Sequence, residues 1–408
     1  MKKRFPFLNN YWLVCLLWIL VAIFCWQYKY FHHRENNYLI FKYVYHHTVA
    51  EKNLYSIYES EYYDTNHYGP VFSVIIAPMA ILPTWAGFLV WSVLNAVVLI
   101  WAITLLPIDQ KKKNLLLLLC AIEFANAEHY IQFNPIVTAF IIFSFVFVER
   151  KKEEWSTFFI VLGTLIKIYP IVGLVFFLFA ENKWKFIWTG LMWLAIFFVL
   201  PMAISSPHFI IQSYADWFHS LQEKNAINVG LKTSQDICLM GTVRHLLRNP
   251  NVPNLPFLIG GAAIFGTALL RLKQYQSLTF RLHILASALI MVVIFSTGSE
   301  HPTYIIAVTG AFLWMLTQDE PFSKRNIVLL VLLLVITGLG PTDAMPPFIR
   351  RGYINKYVMK AWPCIVVWFI LSYDLIFKNY LGNDKKQSAK NLSPVNETTS
   401  IAAQTALS

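Results

Sequence analysis

The run Thr84-Trp-Ala-Gly-Phe-Leu-Val-Trp-Ser-Val-Leu-Asn-Ala-Val-Val-Leu-Ile-Trp-Ala-Ile-Thr-Leu-Leu106 contains no acidic or basic side chain. A bilayer core about 30 Å thick is crossed by about 20 apolar residues in helical form, so this run reads as a membrane span. Pro83 precedes it, and Lys111 to Lys113 lie just beyond it. Outward from it, apolar stretches recur at 11–27, 71–82, 114–127, 134–148, 155–166, 168–180, 186–204, 255–272, 280–297, 302–317, 326–340 and 357–377. Several are shorter than a full span. Such pieces persist at membrane depth where protein or a water-filled cavity satisfies the freed backbone groups. The expectation is an all-α, polytopic integral membrane protein with about 10 to 13 transmembrane segments.

Composition agrees. Of 408 residues, 57% are hydrophobic and 13% charged, against about 25% charged in a soluble domain. That excludes a water-soluble globule, and 32 Phe, 20 Tyr and 14 Trp exclude a disordered chain. The five cysteines are odd in number and four lie in apolar runs, which supports neither a disulfide framework nor a Cys metal site. Trp12, Trp18 and Trp26, with no small-residue cleavage site, make the first segment a retained anchor rather than a signal peptide.

Cationic loops resist translocation, so their distribution sets orientation. With both termini cytoplasmic, 20 of the 33 Lys and Arg fall on the inner side, 12 fall in outer segments 28–69, 205–254 and 341–360, and Lys167 remains within the membrane. The basic balance therefore reports topology and attraction to anionic membrane lipids, with no nucleic acid implied. Residues 1–382 form one membrane domain, and the Ser-, Thr-, Asn- and Gln-rich 383–408 is expected to be a disordered cytoplasmic tail.

Outer loops 28–69, 205–254 and 341–356 are too long to be turns, and long loops are usually functional. Phe41, Val44, Tyr45, Thr48 and Val49 recur at helical spacing, as do Tyr214, Trp217, Phe218 and Leu221. Each set predicts an amphipathic helix lying on the membrane or packed against the membrane domain.

Polar side chains at the mouths of spans supply the chemistry. Lys167, flanked by Ile166 and Ile168 and followed by Pro170, is an ionisable group at membrane depth, which marks function unless it merely snorkels from a hairpin tip. Glu128, His129, Gln132 and Asn134 crowd a short turn that suits hydrogen bonding to a sugar or phosphate, although Asn134 before Pro135 also fits helix capping. Glu300 and His301 occupy a second short turn on the same side, and converging carboxylates and imidazoles make a candidate acid–base site. Asp64 and His67, in Tyr62-Tyr-Asp-Thr-Asn-His-Tyr-Gly-Pro70, bind ligand or shape a turn. No phosphate-binding loop, zinc-protease motif, nucleophile elbow or dinucleotide motif is present.

These residues resemble the membrane glycosyltransferases of the GT-C superfamily, most closely glycosyltransferase family 87. The resemblance rests on Asn37-Tyr-Leu-Ile-Phe-Lys, Asn53-Leu-Tyr-Ser, His67-Tyr-Gly-Pro followed by the apolar run to Pro83, Gln132-Phe-Asn-Pro, and Gly163-Thr-Leu-Ile-Lys-Ile-Tyr-Pro170, in that order. It implies a GT-C-like fold and transfer of a mannose-like hexose from a polyprenyl-phosphate donor to a lipid or glycan acceptor. The reaction would be inverting, on the outer face of the cytoplasmic membrane, with no cofactor or metal required.

Such a reaction needs a carboxylate to take the acceptor's hydroxyl proton. The resemblance places the family's Asp at Asn37, and an amide is no base. Three readings follow: a substitute carboxylate among Glu35, Asp64, Glu128 and Glu300; a register offset that makes Glu35 the equivalent; or an inactive relative. Glu128 and Glu300 are preferred, because both lie in tight turns. The lipid phosphate is expected to meet some of Lys167, Arg244, Arg350, Arg351 and Lys356, with Tyr68 and Tyr304 flanking the sugar. The competing functions are a non-enzymatic carrier or flippase for a lipid-linked or small polar substrate, and a scaffold subunit.

Overall fold

The computed structural model describes residues 10–231 and 235–382. The Lys2, Lys3 and Arg4 cluster and the expected tail 383–408 lie outside the described residues. Among those described there is no β-strand, and each apolar stretch identified in the sequence is helical.

The first half comprises α1 (Tyr11–Phe31), α2 (Asn36–Val49), α3 (Phe72–Ala80), α4 (Thr84–Leu105), α5 (Gln110–His129), α6 (Asn134–Glu149) and α7 (Glu153–Ile166). A 3₁₀ helix follows (Tyr169–Phe179), then α8 (Lys183–Val199), α9 (Pro207–Asn228), α10 (Leu239–Leu247), α11 (Leu255–Leu269), α12 (Leu278–Ile294), α13 (Tyr304–Leu316) and α14 (Lys324–Leu332). A π-helical segment (Leu333–Leu339) and a C-terminal helix (Trp362–Phe377) complete the fold.

Tyr11–Phe31, Thr84–Leu105, Lys183–Ala203 and Met359–Phe377 are long and apolar enough to cross a membrane, and five shorter apolar helices accompany them. Sequence sets the ends. Asn10 caps α1 by accepting from the Trp12 and Leu13 amides, and Asp109 caps α5 by accepting from Lys112. Pro135 opens α6, where its missing N–H costs nothing. α6, α12 and α13 form the interior; every residue of α13 is buried. At the periphery α8 exposes Trp184, Trp188 and Leu191, the pattern of a lipid-facing helix.

The two predicted amphipathic helices, α2 and α9, pack on the membrane domain rather than standing free. Phe41, Val44 and Thr48 of α2 are buried, while Val49 is exposed. The Tyr38 hydroxyl donates to the Met79 carbonyl (3.0 Å), and Lys42 Nζ donates to the Leu82 carbonyl (3.1 Å). On α9, Trp217 is buried but Phe218 faces out. The predicted apolar stripe is thus narrower than its periodicity implied. Lys360, counted above with an outer segment, is fully buried and paired with Glu123 at 2.7 Å. Loop charge counting does not reveal this pairing, because the Glu123 partner, 237 residues away, is invisible to a local window.

Candidate functional site

The site is built on a broken helix. α7 ends at Ile166, Lys167 adopts extended backbone angles, and the chain resumes as 3₁₀ at Tyr169. Pro170 explains the restart, since it cannot donate to a continuing α-helix. Gly69 holds the opposite wall against this break. Its amide donates to the Ile166 carbonyl at 3.0 Å, and a Cβ at position 69 would lie 1.9 Å from the Leu165 carbonyl oxygen. Only a glycine permits that approach.

The contact brings Tyr68 beside Lys167, whose Nζ lies 5.6 Å from the Tyr68 ring centre and 5.5 Å from that of Tyr169. Lys167 Nζ also donates to Asn134 Oδ1 at 2.8 Å. Behind Tyr68, an aromatic stack of Phe41, Phe72, Trp91 and Phe133 with centroids 5.2 to 5.9 Å apart stiffens the wall.

These groups open onto a cavity of about 860 Å³. Its lining includes the polar residues Asn37, Asp64, His67, Gln132, Lys167, Lys224 and Glu300. The apolar residues Ile168, Ile171, Leu258, Met291, Val292 and Phe295 line it as well. Concave sites with few convergent polar groups on an apolar wall are typical of ligand pockets.

His67 donates to or accepts from Ser220 Oγ through Nδ1 (3.0 Å) and Thr65 Oγ1 through Nε2 (3.2 Å), and its carbonyl accepts from Trp217 Nε1 (2.9 Å). Burial, and then the Lys224 charge, push its pKa down to about 4, so it is neutral at physiological pH. Tyr68 donates to Gln132 Oε1 at 3.3 Å. Asn37 Nδ2 donates to the Tyr130 carbonyl at 2.7 Å. Asn36 Oδ1 accepts from the Tyr63 amide at 2.8 Å, which tethers Asp64 beside the start of α2. Glu300 is the acidic neighbour of Lys167 and lies 3.5 Å from Gln235 Nε2.

The other expected site residues stand elsewhere. Glu128 is buried and does not line the cavity, because α5 continues through His129 and turns Glu128 toward Ser92 and Asn95 of α4. The short turn expected around it is therefore the last turn of a helix. His129 stacks near Tyr28. Glu35 precedes α2 and is not part of the lining. His301 is not among the lining residues, and the buried Tyr304 donates to the Ile237 carbonyl at 2.8 Å, so neither flanks the cavity.

Arg244 forms a buried ion pair with Asp236 and also binds Asn254. Asp236 and Ile237 in turn donate backbone bonds to Thr297 and Ser299, each at 3.0 Å. Arg244 thus fixes the loop that carries Gln235 rather than facing a ligand. Arg350 pairs with Asp343, Arg351 is exposed, and Lys356 Nζ lies over the Tyr357 ring; none lines the cavity.

Lys224 adds a cation to the cavity that is not among the candidates from sequence. It shares a helical face with Trp217, Leu221, Asn225 and Asn228, all lining residues. That spacing is legible in the sequence, whereas a charge count over 205–254 does not distinguish Lys224 from its neighbours.

Residues 66–297 match glycosyltransferase family 87, more than half of the chain. The chain belongs to this family. It is accordingly a membrane glycosyltransferase, and the family 87 match covers His67, Tyr68, Gln132, Lys167 and Lys224, while Asn37, Asp64 and Glu300 lie outside it. No curated protein and no solved structure matches this family 87 chain.

Proposed function

We propose that this family 87 member transfers a mannose-like hexose from a polyprenyl-phosphate donor to a lipid or glycan acceptor on the outer face of the cytoplasmic membrane. The observation that carries the reading is that Lys167 and Lys224, Asp64 and Glu300 share one cavity with amide side chains and with apolar residues such as Ile168, Ile171, Leu258 and Phe295. The apolar lining residues suit the prenyl chain, and the two ammonium groups suit a phosphate. Neutral amides, Gln132 and Asn37 among them, suit sugar hydroxyls.

Asp64 is the proton acceptor in this scheme. It is tethered next to Asn37, where the family's Asp is expected, and it is exposed at the cavity mouth, where an acceptor hydroxyl arrives. Glu300 serves instead as the counter-ion of Lys167. The acceptor oxygen forms its bond to the anomeric carbon as that carbon's bond to phosphate oxygen breaks. The hydroxyl proton passes to Asp64, and the electron pair leaves on the phosphate, held by Lys167 and Lys224.

The test uses membranes containing the full chain, radiolabelled polyprenyl-phosphate mannose and a membrane lipid extract as acceptor. Acceptor-dependent release of polyprenyl phosphate is expected. Movement of intact labelled donor across the bilayer without release would replace the transferase reading with a carrier.

A further inference from the structure

Beside the cavity, on the side of Tyr130 and Asn37, lies a group of cations that the chemistry above leaves unused. Arg34, in the turn from α1 to α2, donates to the Tyr28 hydroxyl at 3.4 Å, and the Tyr28 ring lies 6.0 Å from that of His129 at the end of α5. Lys29, in the last turn of α1, and Arg34 act electrostatically on His129 and on each other. His129 adjoins Tyr130, a lining residue whose carbonyl accepts from Asn37 Nδ2.

Arg34 is exposed and Lys29 half-buried, and among the described residues neither has a carboxylate partner. The nearby Asp343 is taken up by Arg350. Like charges gathered without a counter-ion repel one another, and a phosphate that accepts from several donors at once removes that cost. On the outer face assigned to the cavity above, positive charge does not serve topology, which favours cations on the inner side.

Depth selects a lipid over a free glycan. α1 is long and apolar enough to cross the membrane, so Lys29 in its last turn and Arg34 just beyond it stand at the level of the headgroups. Between them Phe31 is 67% exposed, and an aromatic ring beside cations fits the interface where acyl tails give way to phosphates. The same stretch leads to the proton acceptor: Asn36, two residues after Arg34, holds the Tyr63 amide next to Asp64.

We propose that Lys29 and Arg34 hold the phosphate of an anionic phospholipid acceptor whose headgroup hydroxyl passes Tyr130 and Asn37 to reach Asp64. The acceptor role rests on the transferase reading; the phosphate site stands on the cations alone.

The full chain in phosphatidylcholine nanodiscs is titrated with pyrene-acyl phosphatidylglycerol, and energy transfer from the protein's tryptophans reports binding. Pyrene-labelled phosphatidylcholine and a neutral pyrene-labelled glucosyl diacylglycerol serve as comparisons. Phosphatidylglycerol is expected to bind several-fold more tightly than either. Lys29→Gln combined with Arg34→Gln should weaken its binding about 10-fold, as for loss of a hydrogen bond to a charged group, whereas Arg34→Lys keeps most of it. Equal binding of the three lipids, or a preference that survives the double variant, overturns the site. A second arm follows label from the mannosyl donor into a lipid extract separated by anion exchange. Label in anionic lipid is expected; label confined to neutral lipid or glycan overturns the acceptor assignment. Absence of any transfer, with the phosphatidylglycerol preference intact, overturns the transferase reading and the acceptor role with it, while supporting the phosphate site.

Discussion

Lys167 Nζ donates a 2.8 Å hydrogen bond to Asn134 Oδ1, fastening the break after α7 to the first residue of α6. An ammonium at membrane depth is costly unless its donors are used. Here one is bound by the amide and the rest of the group faces Tyr68, Tyr169 and the cavity. Asn134, expected either to cap a helix or to bind ligand, instead orients the lysine, and it does so because it sits where α6 begins.

Asp64→Asn should lower transfer by about 10²- to 10⁴-fold, the usual contribution of a general base, with donor binding little changed. Release of polyprenyl phosphate measures the first, and donor titration the second. Glu300→Gln should retain far more activity; the reverse ranking would make Glu300 the base.

Lys167→Met and Lys224→Met should each weaken donor binding by about 10- to 100-fold, the equivalent of losing a hydrogen bond to a charged group. The loss should grow as the donor carries its phosphate, so a free mannoside would compete equally well against wild type and variants. Equal donor KM values in wild type and Lys224→Met would remove Lys224 from the site.

His67 gives a signed pH prediction. Its folded pKa, about 4, lies below the ordinary value near 6.5. The neutral ring's contribution is fully present above pH 6.5 and is lost as pH falls toward 4, because the unfolded chain binds the proton first. The drop in thermal midpoint between pH 7 and pH 5 should shrink in His67→Gln. An unchanged drop would show that His67 is not held neutral.

Arg244→Gln should destabilise the fold by about 3 to 5 kcal/mol, since it leaves Asp236 buried without its partner. Adding Asp236→Asn should recover part of that loss, as removing both charges avoids the orphan. A double variant no more stable than the single one contradicts the pairing role. A selective loss of donor affinity with unchanged stability would return Arg244 to the ligand site.

Gly69→Ala should impair folding or distort the site, because the new methyl overlaps the Leu165 carbonyl. Its effect should exceed that of Gly266→Ala on α11, where a Cβ meets nothing within 4 Å. Comparable thermal midpoints for the two variants would refute the close approach.

The sequence by itself determined the membrane class, the positions of the helices and the break at Lys167. Long apolar runs and a proline act within a few residues of themselves, so local reading suffices for them. Tertiary structure alone decided which charges are available. Arg244 is neutralised by Asp236, Lys360 by Glu123 from 237 residues away, and Glu128 is turned inward by one more helical turn of α5. Lys224 and Asp64 reach the cavity because α9 and the segment after α2 fold over it, joined by the bond from Trp217 to the His67 carbonyl. An ionisable group's role depends on its partner and its burial, and both are set by contacts between segments distant in the chain.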